Sequence, residues 1–296
     1  MKNLFLILTL IYSYNIALGQ IPGHLAQYNF SGNANDSKGI NHGTVNGATL
    51  TTDRFGNANS AYSFNSSSSS YIVIPYGNFF NANYSYSLWV KPTKLPTSGN
   101  SVIILSVGGN GGDQNVQIEN NRVYGGSMGV ITGFSLTAYQ KNGSVTNIGG
   151  TCTGTLPNTN QWYHLAVTRD SSYYKVYVDG CLVSTSANTN GALPFYGNNS
   201  FDARIGCRER GTFYSDAVLD DIGIYNRAIT AAEVTKLYNN LKPLTLTKDT
   251  TICKDDFQQF KLKAPRTYCT YKWVNMASPS SVLGTDSQLL INNSSH

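Results

Sequence analysis

The residues that could do chemistry are few and scattered. Before residue 242 glutamate occurs only as Glu119, Glu209 and Glu233, each isolated. Glycoside hydrolysis needs two carboxylates flanking the scissile bond, about 5 Å or about 6.5–9.5 Å apart. On one strand face that requires acids at i and i+2 or i+4, and no such run is present. Asp220 and Asp221 are adjacent, so a regular strand sends them to opposite faces. The histidines, His24, His42, His164 and His296, lie near no G-x-S-x-G turn, so a serine triad has no support. His164 sits in an alternating stretch and reads as a satisfied sheet residue. Gly108–Gly112 lacks the lysine and the following helix of a phosphate cradle. The chain is therefore expected not to be an enzyme.

Binding is what these residue types can support. Sugars are held by aromatic faces stacked on apolar ring faces, with Asn, Asp, Arg and loop amides bonding the hydroxyls. Tyr196, Arg208, Phe213 and Tyr214 are the ligand-binding candidates, with Tyr124, Tyr139 and Phe195 behind them. The competing reading is that most of the 20 tyrosines face ordinary cross-strand partners. The region from Gly191 to Tyr214 is thus favoured over any single residue. Several N-x-S/T triplets, such as Asn35-Asp-Ser, are expected by chance in so Asn/Ser-rich a chain.

The elements that must position these groups are mostly strands. In the stretch from Leu219 to Leu237, Ile222 and Ile224 alternate with Gly223 and Tyr225, the period of a half-buried strand. Asp220 shares the parity of Ile222 and Ile224, so it is expected to face the core, hydrogen-bonded or holding a cation. Asn226-Arg227 then turns the chain, and Thr230 with Glu233 makes a capping box for one short helix. Upstream, strands are expected at Ala61–Phe64, Tyr71–Ile74, Tyr86–Val90, Val102–Val107, Val116–Glu119, Trp162–Thr168 and Tyr173–Val178. Hairpin turns are expected at Asn120-Asn121, Asp170-Ser171-Ser172 and Asp179-Gly180. So many strands with one terminal helix predict an all-β, two-sheet antiparallel jelly-roll sandwich.

Composition agrees. Only 12% of residues are charged, against 28 Gly and 20 Tyr, which suits an extracellular β-sandwich rather than an α-rich cytosolic enzyme. The net charge of +5 is thinly spread, so no nucleic-acid or polybasic membrane site is expected. Lys2, the apolar run Leu4–Tyr12 and Ala17-Leu18-Gly19 read as a signal peptide, residues 1–19. No transmembrane segment is expected after it, and the mature chain is expected to be secreted or on the cell surface. The sandwich is assigned to residues 20–241, with a boundary at Leu241-Lys242-Pro243-Leu244.

Several segments, in order, resemble laminin-G-like modules of the concanavalin A-like lectin/glucanase superfamily. The opening element, Ala26 to Gly43, carries an aromatic strand, the Asp36-Ser-Lys-Gly39 loop and the Asn41-His-Gly43 turn. Phe55-Gly56 with Ala61–Phe64, Tyr71–Pro75, Tyr86–Pro92, Trp162–Thr168 and Val176–Gly180 follow in family order. The resemblance covers roughly residues 24 to 239. It implies a calcium ion held by the carboxylates of Asp36 and Asp220 and by loop carbonyls near Gly39 and Asn41, hard oxygen ligands of the kind calcium prefers. The competing reading is that Asp36 caps a turn and Asp220 bonds backbone. In this fold Cys181 and Cys207 would lie on neighbouring strands, making them the preferred disulfide, with Cys152 competing for either partner. Cys253 and Cys269 lie in residues 242–296, which resemble the opening of an immunoglobulin-like or PKD-like repeat and look truncated.

The function implied is binding of a carbohydrate or glycoprotein by a lectin-like or adhesin module. The alternatives are a structural spacer or protein-interaction module of an adhesin, and an accessory module of a larger glycoside hydrolase.

Overall fold

The computed structural model describes residues 21–75, 79, 83–97, 101–108, 115–126, 129–139, 145–188, 203–208, 211–239, 259–263, 273–275, 278–284 and 288–292. In chain order the strands are β1 His24–Tyr28, β2 Thr44–Asn46, β3 Thr49–Thr51, β4 Ala61–Phe64, β5 Tyr71–Ile74, β6 Tyr84–Pro92 and β7 Ser101–Gly108. They continue as β8 Asn115–Gly126, β9 Gly129–Tyr139, β10 Val145–Gly150, β11 Tyr163–Arg169, β12 Tyr173–Val178, β13 Cys181–Ala187, β14 Ala203–Ile205 and β15 Ala217–Tyr225. One helix, α1 Ala231–Tyr238, follows.

Two antiparallel sheets face each other, as the alternation predicts. The first runs β13-β12-β11-β6-β15-β4-β3, with β1 also paired to β15; the second runs β10-β9-β8-β7-β14-β5-β2. Alternate residues of both sheets fill the space between them. Tyr86, Leu88, Leu165, Val167, Val176, Ile222 and Ile224 come from the first, and Ile72, Ile74, Leu105, Ile118, Phe134, Leu136 and Ile205 from the second. Arg169 is also buried, and its Nε donates to the Tyr174 hydroxyl at 3.0 Å.

Turn chemistry sets several registers. Asp179 and Gly180 adopt φ of +50° and +79°, the left-handed pair of a tight hairpin, and join β12 to β13. Asp170 accepts from the amides of Ser172 and Tyr173 and turns β11 into β12. The Ser66–Ser68 tip is a single 3-10 turn capped by Asn65. Asn120-Asn121, expected as a turn, instead lies inside β8, because both residues pair across to β7 and β9. The segment 125–155 holds the β9–β10 ladder.

The outer face of the first sheet is covered by α1. Val234 and Tyr238 are buried, and a second cluster gathers Ile21, Ala166, Tyr177, Tyr225, Ile229 and Val234. Thr230 and Glu233 form the expected capping box, and Glu233 also takes a forked bond from Arg227 at 2.6 and 2.9 Å.

Asn240 closes this unit and Leu241 opens a C-terminal one. There β16 Gln259–Lys263 pairs with β19 Gln288–Asn292, and β17 Trp273–Asn275 with β18 Ser278–Gly284. Cys253 and Cys269 lie outside the described residues.

Candidate functional site

Strand parity turns one polar row of the second sheet away from the core. Because Ile205, Leu105, Ile118 and Leu136 point inward, their neighbours Arg204, Ser106, Gln117 and Thr137 point outward. Register joins these four across the sheet: Arg204 opposes Ser106, Ser106 opposes Gln117, Gln117 opposes Thr137, and Thr137 opposes Asn147. The next row sets Glu119 against Ser135. Ser106, Gln117, Glu119, Ser135 and Thr137 are buried although they face away from the core. These amides, hydroxyls and one acid form a continuous buried polar band on that face.

An aromatic and cationic platform adjoins this ladder at β14 and β5. The Arg204 guanidinium lies 5.0 Å from the Tyr71 ring, and Tyr71 and Tyr214 are 6.3 Å apart. Gly211 lets Tyr214 approach: a Cβ there would sit 2.9 Å from the Tyr214 hydroxyl, and its φ is +68°. Arg208 and Thr212 close a turn through Arg208 N–H to Thr212 C=O, 2.8 Å, and the Arg208 guanidinium stands 5.8 Å from the Phe213 ring. Phe213 is 49% exposed and has φ of +54°, a conformation that a bulky residue adopts only when its surroundings impose it. Its carbonyl accepts from Ile103 N–H at 2.9 Å, which pins it beside the start of β7. Three of the four expected ligand-binding residues, Arg208, Phe213 and Tyr214, lie in or directly after one turn; Tyr196 lies outside the described residues. Tyr71 and Arg204 were missed from sequence, because nothing in a short alternating strand says which face stays free.

The acids expected to hold calcium are engaged elsewhere. Asp36 accepts from the amides of Gln27 at 3.0 Å, Lys38 at 2.9 Å and Asn41 at 3.3 Å, and so caps its own loop. The Asn41 carbonyl accepts from the Tyr28 hydroxyl at 2.7 Å. Gly39 packs against Asp36, where a Cβ would lie 2.9 Å from Oδ2.

Asp220 does not face the core. A bulge between Asp220 and Gly223, with Asp221 at φ of +46°, inserts a residue and breaks parity, so Ile222 points inward and Asp220 outward. There Arg54 forks onto both acids, Nη1 to Asp220 at 2.7 Å and Nη2 to Asp221 at 2.5 Å. The guanidinium is sandwiched 4.3 Å from the Phe55 ring and 4.5 Å from Trp89. Adjacent acids that a regular strand would part are thus drawn to one cation. Burial, and then the Asp221 carboxylate, push the Asp220 carboxyl upward, with Arg54 working against both. Arg54 was missed because its partners are 166 and 167 residues away. These donor sets do not fit a calcium ion bound by Asp36 and Asp220: their oxygens serve amides and a guanidinium. No group of three or more His, Cys, Asp or Glu side chains gathers among the described residues.

A cavity of about 340 Å³ lies beside this node, lined by His24, Arg54, Trp89, His164, Asp221 and Tyr225 among others. His164 Nε2 lies 2.9 Å from Ser87 Oγ, so one ring nitrogen of this sheet histidine has a partner on the neighbouring strand.

Cys181 and Cys207 form no disulfide. Cys181 begins β13 on the first sheet, whereas Cys207 follows β14, which inserts between β7 and β5 of the second. The expected neighbourhood failed because consecutive strands here change sheets.

The family model of Laminin_G_3, the concanavalin A-like lectin/glucanases superfamily, matches residues 65–235. The chain belongs to this family. Among solved structures, the laminin-G fold of this chain is similar to domain 4 of AbnA, a GH43 extracellular arabinanase from Geobacillus stearothermophilus, in complex with arabinotriose. Identity is 24%, TM-score 0.56, and the match covers 73% of this chain and 98% of that one. It is also similar to the binding domain of Paraclostridial Mosquitocidal Protein 1, at 17% identity, TM-score 0.57 and coverage of 74% and 52%. The receptor-binding domain of botulinum neurotoxin mosaic serotype C/D matches at 16% identity, TM-score 0.55 and coverage of 74% and 51%. The match thus spans about half of each toxin domain. No curated protein sequence matches the chain. The opening element, Ala26 to Gly43, precedes the family match, yet β1 pairs with β15 as the resemblance implied.

Proposed function

We propose that this chain is an extracellular carbohydrate- or glycoprotein-binding module, lectin-like or adhesin-like, that binds and does not catalyse. The observation that carries this is the platform of Tyr71, Arg204, Arg208, Phe213 and Tyr214 at the end of the polar ladder. Rings give apolar faces for sugar CH groups, and arginines give fixed forks of donors. Phe213 strengthens the reading, because a half-exposed aromatic held in the left-handed region gains little from packing. Export of the chain agrees with this function and rests on the Lys2–Gly19 leader.

A second reading has its own support. Domain 4 of the arabinanase belongs to a larger extracellular hydrolase, so this chain would serve as the accessory module of such an enzyme. The test is a glycan array of the mature chain that includes arabino-oligosaccharides, run beside Tyr214→Ala and Arg208→Ala. Binding that either variant weakens supports the lectin reading, and preference for a plant-wall oligosaccharide supports the accessory role. A silent array from folded protein overturns both in favour of a spacer or protein-interaction module.

A further inference from the structure

We propose that Cys152 and Cys181 form a disulfide that ties the two sheets together at their shared outer edge. Cys181 opens β13, the terminal strand of the first sheet, directly after the Asp179-Gly180 turn. Cys152 lies just past Gly150, the end of β10, the terminal strand of the second sheet. These two edge strands pack against each other.

The local geometry brings the sulfurs together. The Cys152 thiol donates to the Val178 carbonyl at 2.9 Å, and Val178 is the register partner of Cys181 across the hairpin. The same thiol lies within hydrogen-bonding reach of the Cys181 side chain and its backbone. Its position is fixed by the surrounding turn, in which Gly154 N–H donates to Thr151 C=O at 3.2 Å and the Thr151 hydroxyl to Thr155 C=O at 2.6 Å. Thr151 in turn sits against Gly133, where a Cβ would come within 2.5 Å of its Cγ2. Both cysteines are exposed, so an oxidant can reach them.

The chemistry needs a disulfide oxidant, here glutathione disulfide or the dithiol oxidase of an oxidising export compartment. The deprotonated sulfur of Cys181 attacks one oxidant sulfur and releases one thiolate, leaving a mixed disulfide. Cys152 then loses its proton, attacks the Cys181 sulfur and releases the second thiolate. Two cysteine thiols are oxidised, one disulfide is reduced to two thiols, and the protons end on the departing thiolates. Burial, and then the neighbouring Cys181, raise the Cys152 thiol to about 12, so it is a poor first nucleophile.

The bond would close a loop from residue 152 to 181 that contains the β11–β12 hairpin, and would stop the sandwich from opening at that edge. The experiment is peptide mapping of the mature chain after incubation with glutathione disulfide, without reductant. The expected result is one linked peptide pair containing Cys152 and Cys181. Alkylation of both thiols in the oxidant-treated native chain, or a Cys181–Cys207 link, overturns the proposal. As a second readout, Cys152→Ser, Cys181→Ser and the double variant should each lower the thermal midpoint of the oxidised chain by about 5–15 °C. The double variant should lose no more than either single one, and a reductant should copy the loss only in the wild type. Additive losses that reductant does not copy would count against the bond.

Discussion

At Arg54 a single side chain decides the fate of two acids. Its fork onto Asp220 and Asp221 is buried on the Asp220 side, with side-chain exposures of 5% for Arg54 and 4% for Asp220. Removing the guanidinium leaves a carboxylate desolvated and uncompensated. Arg54→Met is therefore expected to cost about 3–5 kcal/mol, read as a lower urea midpoint at unchanged slope. Arg54→Lys should recover only part of this, since an ammonium cannot fork. A urea midpoint for Arg54→Met equal to wild type would show that the pair is not buried as described. On the platform, Tyr214→Ala and Phe213→Ala should each weaken glycan binding about tenfold or more, equivalent to about 1.4 kcal/mol, with thermal midpoints little changed. An unchanged affinity measured by calorimetry would remove those rings from the site. Of these residues, Arg208, Phe213 and Tyr214 were legible in sequence as aromatic and basic groups in a turn-rich stretch. Arg54 was not, because an ion pair spanning the whole domain leaves no local spacing.

At the scale of elements, β15 and α1 carry the most information. Sequence parity placed Asp220 with Ile222, and one bulged residue overturned it, since a period of two tolerates no insertion. Gly206, at φ of +86°, sits where a Cβ would come 2.3 Å from the Phe64 ring. Gly206→Ala is expected to destabilise by about 1–3 kcal/mol through overpacking and the disfavoured backbone. A denaturation curve indistinguishable from wild type would contradict that packing. The α1 cap titrates. The Arg227 bond holds the Glu233 carboxyl near 2, from a usual 4.5. Its folded pKa is depressed, so its contribution is present above pH 4.5 and lost as pH falls towards 2. Glu233→Gln should thus lower stability by about 1 kcal/mol at pH 7, with the gap to wild type closing in acid. A gap that stays constant from pH 7 to 3 in thermal scans would rule out the charged cap as its source.

For the whole molecule, the two acids proposed to hold a metal already have protein partners. Asp36 is held by three amides of its own neighbourhood and Asp220 by Arg54. EDTA is therefore expected to leave the thermal midpoint and any glycan affinity unchanged. A drop reversed by added calcium would return the ion to the fold.

Sequence by itself determined the strands, the tight hairpins and the capped helix, because alternation and turn residues act within a few positions of themselves. Ala61–Phe64, Tyr71–Ile74 and Tyr173–Val178 begin and end where their patterns do. Only the tertiary structure decided which acids and sulfurs meet. Arg54 reaches Asp220 across 166 residues, and Cys152 lies beside the hairpin that carries Cys181 while Cys207 follows a strand of the other sheet. Those pairings follow from which sheet each strand joins and where a bulge resets its face, and both are settled by packing the two sheets together, not by local propensity.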